Sequence, residues 1–389
     1  MRRGPDAAAE ASASLAPVPR ANPELVGHRV AEAGLRRLFD NGRMPHALLL
    51  CGPRGIGKAT LAFRFARFVL AAGANERANE RANERAGARA GEGPSAALFP
   101  GGADGELHVP PESGVFRRVA AGGHADLLTV ERGYDSRRRR LRGEIVVDDS
   151  REIAAFLRLT PAEGGWRVVV IDAADEMNRN AANAVLKILE EPPQRSVLLL
   201  VAHSPGRLLP TIRSRCRRLS LAPLPPAIVR SLLARYRPDL PEAQADALTG
   251  LAGGSIGRAL DLAASGGVEL YESVAALLSR ERGIDPVALH AFADRLARAE
   301  AEESYRAVEE LVAQLLARLA VAAARGSGDG ETLPAASAVL RRLGGRAPAA
   351  RWAELRDAIG QSFARTDALN LDRKQTILGA FFAIEAATR

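Results

Sequence analysis

The sequence predicts an α/β domain built on a parallel sheet and followed by all-helical domains, and three observations lead to this fold class. Apolar runs of strand length at residues 46–51, 126–130, 167–171 and 196–202 alternate with helical patterns, which is typical of a parallel sheet. A glycine-rich phosphate-binding loop follows the first of these strands and opens a helix. After residues 223–226 the strand patterns stop and the chain is helical.

Apolar residues spaced three and four apart predict the helices. The helix before the first strand and the helix after the loop depend on two such sets: Val30, Leu35, Leu38 and Phe39, then Leu61, Phe65, Phe68 and Val69. Further helices are predicted near 148–158 and 177–190, between the later strands. The C-terminal helices depend on two more sets: Val308, Leu311, Val312, Leu315, Leu316 and Leu319, then Ile377, Leu378, Phe381 and Phe382.

Length and charge restrict the class of protein further. The 389 residues, 47% of them hydrophobic, suffice for about two to four domains with a buried core. The 54 basic and 46 acidic residues give a net charge of +8, which favours an acidic partner such as DNA or nucleotide. No apolar run approaches the roughly 18 residues that span a bilayer, and no signal peptide is recognisable. We therefore predict a cytoplasmic protein without membrane contact.

The chain contains two cysteines, Cys51 and Cys216. Two are too few for a disulfide framework or a cysteine-rich zinc site. We therefore predict buried, reduced thiols and expect no zinc.

Two segments have the composition of unfolded chain. Residues 1–22 are rich in Ala, Pro and Ser without periodicity and are predicted to be a disordered leader. Three copies of Ala-Asn-Glu-Arg at 74–85 lie in a low-complexity insertion at about 72–115. This insertion has too few apolar residues to bury, so we predict a solvated segment of no mechanistic importance.

Residues 137–140, all arginine, together with Arg142 form the densest basic run. We favour a solvated hairpin tip between Tyr134 and Ile145, and a contact to DNA phosphates stays open as the alternative. The large aromatic residues are not interleaved with basic clusters, as a platform for single-stranded DNA requires. We predict that they belong to the core: Trp166, Trp352, Phe363, Phe381 and Phe382.

Residues 52–58 match the first seven positions of the phosphate-binding loop Gly-x-x-x-x-Gly-Lys-Ser/Thr. The small residues Gly52, Gly55 and Gly57 let backbone N–H groups point at phosphates, and the helix N-terminus adds partial positive charge. The Lys58 ammonium would reach the β and γ phosphates. This pattern predicts ATP or ADP binding, with an unliganded glycine turn as the alternative.

Two parts of the machinery that hydrolyses ATP are missing. The eighth loop position, which normally supplies a hydroxyl to Mg²⁺, is Ala59, and Thr60 is displaced by ~100° around the helix. Asp172 ends a buried strand, as a carboxylate on the Mg²⁺ side of the site would. The next residue is Ala173, whose methyl group cannot accept a proton from the attacking water. We predict that nucleotide binds weakly or is bound without hydrolysis, at a site that includes Thr60 and Asp172.

Four segments make the chain resemble the AAA+ family of bacterial clamp-loader subunits over nearly its whole length. They are residues 43–47 (RMPHA), 52–60 (GPRGIGKAT), 178–193 (NRNAANAVLKILEEPP) and 209–216 (LPTIRSRC). The resemblance implies an AAA+ P-loop domain over 23–222, a small helical lid over 223–265 and a helical collar for oligomerisation over 266–389.

The resemblance also implies a function. The collar would join a hetero-pentameric ring with the motor and delta subunits of the DNA polymerase III clamp loader, part of a DNA-directed DNA polymerase holoenzyme. This ring loads the sliding clamp onto primed DNA during DNA replication. Ala59 and Ala173 make the chain similar to the subunit that holds ring geometry rather than to the ATP-hydrolysing motor. The family's four-cysteine zinc module is absent, and the insertion stands in its place.

Within this family the arginine of Ser214-Arg215-Cys216 reaches the ATP site of the neighbouring subunit. The resemblance therefore assigns Arg215 as a trans-acting arginine finger, and a surface salt bridge is the alternative. It also places His203 and Ser204 at the polar sensor position. Residues 254–260 resemble the second sensor motif, but Gly257 stands where motor subunits carry arginine.

Two other functions stay open. The chain would be a motor ATPase of the same ring if Thr60 replaced the missing hydroxyl and Asp175 or Glu176 served as the base. A small-molecule P-loop kinase would leave the Ser-Arg-Cys motif and the helical tail unexplained.

Overall fold

The computed structural model describes residues 16–85, 106–135, 140–163, 165–280, 283–326 and 334–388. The chain divides into two compact units, residues 1–228 and 229–389. Among the described helices, none has the length and apolar character needed to cross a membrane.

The N-terminal unit contains the strands and the helices that cover them. The strands are β1 (Ala47–Cys51), β2 (Leu127–Val130), β3 (Tyr134–Asp135), β4 (Arg140–Leu141), β5 (Arg167–Asp172), β6 (Ser196–Ala202) and β7 (Arg217–Ser220). The helices are α1 (Arg29–Asp40), α2 (Lys58–Arg85), α3 (Gly114–Ala120), α4 (Val147–Arg158), α5 (Arg179–Glu190) and α6 (Pro210–Arg215). The four predicted inner strands and the helices predicted beside them occur in the predicted order, whereas α3, α6 and β7 were not predicted.

A five-stranded parallel sheet in the order β2-β5-β6-β1-β7 forms the core of this unit. Strands β1 and β6 are buried along their whole length, and β5 is buried up to Asp172, because helices cover both faces of the sheet. Alternate residues face opposite sides. Leu48 and Leu50 pack with α1 and α2, whereas Leu49 and Cys51 pack with α4, α5 and α6. The predicted α/β fold class is confirmed.

Strand β7 has no counterpart among the predicted strands. It pairs with β1 from Leu48 opposite Arg217 to Cys51 opposite Ser220. Three of its four residues are exposed, because it forms the edge of the sheet. An exposed edge strand does not need the apolar run by which the inner strands are recognised. Val30 was also expected on the buried face of α1, but its side chain is 85% exposed.

Two buried arginines of α2 hold the segment that precedes α1. Arg64 Nε donates to Glu32 Oε1 at 2.5 Å, and Arg64 Nη1 donates to the Pro23 carbonyl. Arg67 donates to the carbonyls of Arg20 at 2.9 Å and Asn22 at 2.7 Å. The predicted leader therefore reaches too far: its residues 16–22 are held in place, and its residues 1–15 lie outside the described residues.

The predicted insertion differs from expectation at both ends. Helix α2 continues through the Ala-Asn-Glu-Arg repeats to Arg85, and Arg77 donates to the carbonyl of Ala162 at 3.2 Å. At the other end, Leu107, Val109 and Val115 are buried in the core that covers α2. A few well-placed apolar residues suffice to anchor a segment whose average composition is polar. Residues 86–105 of the insertion lie outside the described residues.

The basic hairpin is confirmed in its backbone, since β3 and β4 pair antiparallel with Tyr134 opposite Leu141. Residues 136–139, the predicted tip, lie outside the described residues. The alternative of a DNA contact stays a hypothesis.

The described part of the C-terminal unit is helical. Its helices are α7 (Pro226–Tyr236), which begins just before the boundary, α8 (Glu242–Ala252), α9 (Ile256–Ala264), α10 (Gly267–Ser279), α11 (Pro286–Leu296), α12 (Glu302–Arg325), α13 (Pro334–Leu343), α14 (Ala349–Leu369) and α15 (Arg373–Ala386). Trp352, Phe363 and Phe381 are buried as predicted, whereas Phe382 is 42% exposed. Phe382 follows the buried Phe381 directly, and neighbouring helix positions face about 100° apart. The division into lid and collar at 265 stays a prediction.

We predict that Glu32→Ala destabilises the N-terminal unit by about 3–5 kcal/mol. The substitution leaves the Arg64 guanidinium, whose side chain is 2% exposed, without its carboxylate. Urea unfolding measures the change. Asp40→Ala is the matched control, because Asp40 is 49% exposed and pairs with Arg36 at the surface. Its cost is expected within about 1 kcal/mol. Equal effects of the two variants would contradict this account of the buried pair.

Candidate nucleotide-binding site

The phosphate-binding loop joins β1 to α2 and depends on glycine conformations. Gly52, Gly55 and Gly57 all have positive φ, at 149°, 75° and 102°. A Cβ on Gly52 would lie 2.6 Å from the carbonyl oxygen of Leu221, so no other residue fits there without a shift of the backbone. The loop therefore has the backbone that close approach to a phosphate requires.

Lys58 begins α2 and is 2% exposed. Its Nζ donates to the carbonyl of Pro53 in the same loop at 2.5 Å. Burial lowers the pKa of Lys58 to about 8, against the opposing charges of Asp172 and Asp175. A phosphate in the loop would supply the negative charge that this desolvated ammonium lacks.

Asp172 ends β5 at the carboxyl edge of the sheet, the same edge from which the loop leaves β1. Ligands in parallel α/β sheets bind at this edge. Burial and then the charge of Glu131 raise the pKa of Asp172 to about 6, and the charge of Lys58 opposes the shift. The structure thus brings Asp172 and Lys58 into one electrostatic neighbourhood, as the sequence predicted.

Asp175 and Glu176, the alternative bases, are both engaged elsewhere. The two carboxylate oxygens of Asp175 accept from the backbone N–H groups of His203 at 3.0 Å and Ser204 at 2.7 Å. Glu176 pairs with Arg132 at 2.9 Å. These bonds connect the segment after β5 to the end of β6 and hold both oxygens of Asp175 in backbone contacts.

His203 lies at the end of β6, beside this group. Burial and then the Lys58 charge lower the pKa of His203 to about 4, so its ring is neutral at pH 7. Its Nδ1 is buried without a hydrogen-bond partner among the described residues. Nothing in the structure assigns it a ligand, and the sensor role stays a prediction.

The residues present fit a nucleotide phosphate but lack parts of a hydrolytic site. Loop N–H groups and Lys58 match what a phosphate needs. Thr60 is buried on α2, Ala59 has no hydroxyl, and Ala173 has no carboxylate. In the described ranges, no group of three or more His, Cys, Asp or Glu residues is placed to hold a metal ion.

His28 is a site residue that the sequence reasoning missed. It is buried directly before α1, and its Nε2 lies 2.7 Å from the Ile56 carbonyl of the loop. Since a carbonyl can only accept, Nε2 carries the proton, and burial lowers the pKa of the ring. A single histidine outside any motif gives no sequence signal for this contact.

Arg215 lies at the end of α6, away from its own loop. Its Nη2 pairs with Glu190 Oε1 at 3.0 Å, and its Nη1 donates to the Thr211 carbonyl at 3.1 Å. Arg217, two residues on, is opposite Leu48 near the start of β1, whereas the loop follows the end of β1. The two features are separated by roughly 13 Å along the strand. The structure therefore does not bring Arg215 to Lys58 and Asp172.

Both cysteines are buried free thiols, as predicted. Residues 254–260, which resemble the second sensor motif, lie in the C-terminal unit, where Ser255 accepts from the Arg258 N–H at 3.1 Å and caps α9. Arg258 itself donates to the Glu310 carbonyl at 3.1 Å and pairs with the Glu310 carboxylate at 3.4 Å. This arginine is thus engaged within its own unit.

Comparison with known proteins identifies relatives of this chain. Residues 27–225 match the family model described as DNA polymerase III, delta subunit. The chain is 36% identical to the delta' subunit of DNA polymerase III from Pseudomonas aeruginosa, over 62% of this chain and 64% of that protein. It is 32% identical to the gamma/tau subunit from Mycobacterium tuberculosis, over 54% of this chain and 30% of that protein. The matches thus cover less than two thirds of these relatives.

Among solved structures, the crystal structure of a DNA polymerase III gamma subunit-related protein from Thermotoga maritima is similar. It aligns with a TM-score of 0.41 and 17% identity, over 92% of this chain and 99% of that chain.

We predict that Asp172→Asn removes a pH-dependent cost from the free chain. The folded carboxyl keeps its proton to about pH 6 and the unfolded one to about 3.8, so Asp172 lowers stability as pH rises through this window. The unfolding free energy of the variant minus that of the wild type should therefore increase by about 1–3 kcal/mol between pH 4 and 7.

Urea unfolding at several pH values measures this difference. Asp148→Asn, which removes a carboxylate that is 80% exposed, is the control for loss of one acidic group. A difference that stays constant with pH for Asp172→Asn would show that burial does not affect this carboxyl.

Proposed function

We propose that this chain, which belongs to the DNA polymerase III delta subunit family, is a clamp-loader subunit that does not hydrolyse ATP itself and supplies Arg215 to a neighbouring subunit. One observation carries the proposal. The phosphate loop has Ala59 where a hydroxyl residue is normally found, Ala173 follows Asp172 where a carboxylate is normally found, and Arg215 lies far from the loop. An arginine placed away from its own loop does not serve that loop, which supports a role at a nucleotide bound by another chain.

The chemistry of Arg215 is electrostatic. A guanidinium next to a transferring γ-phosphate stabilises the charge that develops in the transition state, and its fixed fork matches phosphate oxygens. Fingers supplied in trans increase rates by roughly 10³ to 10⁵ in related nucleotide hydrolases. Lys58 and the loop glycines would hold ATP or ADP in the chain's own site without turnover.

The partners follow from the relatives and are part of the proposal. The chain would occupy a hetero-pentameric ring with motor and delta subunits, hold the geometry of that ring and help it to load the sliding clamp onto primed DNA. The collar would provide the ring contacts.

A motor role in the same ring is the second candidate, and the similarity to gamma/tau proteins favours it. It requires a Mg²⁺ ligand from Thr60 and a base from Asp175 or Glu176. Thr60 is buried, both oxygens of Asp175 accept backbone N–H groups, and Glu176 is paired with Arg132. These contacts support the non-hydrolysing role.

We predict that Arg215→Ala leaves the chain folded and assembled but lowers the DNA-stimulated ATPase of the reconstituted complex. The nucleotide site that Arg215 serves should lose roughly 10³-fold of its rate, so the complex loses that site's share. Arg213→Ala is the matched control, because Arg213 is an exposed arginine of the same helix. An unchanged rate of the Arg215→Ala complex would overturn the trans role.

We also predict that the chain binds ATP or ADP with little dependence on Mg²⁺ and that Lys58→Ala weakens binding by about 10- to 100-fold, as expected for a lost charge-assisted hydrogen bond. Wild-type affinity should fall as pH rises above about 8, because Lys58 then loses its charge. Calorimetric titration at pH 7 and 9 measures both effects. Equal affinities for wild type and Lys58→Ala would contradict a phosphate site at this loop.

A further inference from the structure

We propose that Glu190 is the positioning residue for Arg215: its carboxylate holds the guanidinium in the orientation from which it reaches the nucleotide of the neighbouring subunit. The inference depends on the trans role proposed for Arg215. It adds a second residue, from another helix, to the group that would act on the neighbouring nucleotide.

The two anchors of Arg215 leave the guanidinium able to bind a phosphate. Nη2 bonds to Glu190 and Nη1 to the carbonyl of Thr211, at 3.0 and 3.1 Å. A guanidinium has five N–H donors, so three remain for a second acceptor. Glu190 can therefore stay bound while Arg215 contacts a phosphate.

Glu190 and Thr211 belong to two helices, α5 and α6, that pack on the same buried core. Ile188 and Leu189 of α5, and Ile212 and Cys216 at α6, are buried in the same core beneath the ion pair. Glu190 is the last residue of α5, where the helix dipole also favours a cation. The side chains of Glu190 and Arg215 themselves are 46% and 37% exposed, so the pair remains accessible to a neighbouring subunit.

Glu190 also selects one arginine from a crowded set. Residues 213–218 include four exposed arginines. Among the described contacts, only Arg215 of the four pairs with a carboxylate, and Arg218 donates to Ser220. An unanchored arginine loses considerable rotamer freedom when it is fixed, and an anchor formed in advance removes part of that cost.

The chain provides a matched control in the next residue, Glu191. It is exposed and forms no ion pair among the described residues. Glu190→Ala and Glu191→Ala thus remove the same group from adjacent positions, and only the first removes the contact to Arg215.

The test measures the Arg215-dependent ATPase of the reconstituted complex, defined as the wild-type rate with primed DNA minus the rate with Arg215→Ala. We expect Glu190→Ala to lower this difference about two- to five-fold, which is the upper part of the range of an exposed ion pair. Glu190→Asp, which keeps the charge, should recover part of it, and Glu191→Ala should change nothing. In the Arg215→Ala background, Glu190→Ala should have no further effect.

The outcomes separate this inference from the proposed function. If Arg215→Ala leaves the complex rate unchanged, the trans role falls and the inference falls with it. If Arg215→Ala lowers the rate but Glu190→Ala acts like Glu191→Ala, the inference alone is wrong. If Glu190→Ala lowers the rate equally in the Arg215→Ala background, Glu190 acts through the fold or the assembly rather than through Arg215, and the inference is overturned.

Discussion

The pairing of β1 with its two parallel neighbours is the constraint on which the rest of the structure depends. Since β1 runs in the same direction as β5 and β6, the loop that follows it emerges at the edge where β5 delivers Asp172. Since β7 also runs parallel to β1, the segment that leads into β7 lies near the amino-terminal ends of the strands. Arg217 is there beside Leu48. The parallel pairing of β1 with its neighbours thus determines the position of the phosphate loop. It also determines the distance that separates Arg215 from this loop. A subunit that binds one nucleotide and acts on another needs this separation.

Lys58 and Asp172, the charged residues at the loop, are desolvated by burial. Burial lowers the pKa of Lys58 to about 8 and raises the pKa of Asp172 to about 6, so both groups are less stable in their charged forms than in water. A phosphate would compensate the desolvated ammonium. Ala59 and Ala173 supply neither the hydroxyl nor the carboxylate of a hydrolytic site, which supports the proposed non-hydrolysing role.

Much of the fold and of the site could be predicted from the sequence. The inner strands are continuous apolar runs, and the loop has fixed glycine positions, so local pattern suffices for both. Strand β7 could not be predicted, because its pairing with β1 is set by the sheet and its exposed residues carry no apolar pattern. The contacts of Arg64 to Pro23 and of Arg67 to Arg20 were missed, because they use backbone carbonyls that every residue has. The Glu190–Arg215 pair joins two recognised motifs, but their contact is a property of the packing of α5 and α6.

The central claim is that this subunit binds nucleotide without hydrolysing it and contributes Arg215 to ATP hydrolysis in a neighbouring subunit. Steady-state ATP hydrolysis by the purified chain, beside Lys58→Ala, tests it most directly. We expect no turnover above that of Lys58→Ala, with or without Mg²⁺. Turnover above ~1 s⁻¹, the lower end of typical enzyme rates, that disappears in Lys58→Ala would contradict the account and make the chain a motor.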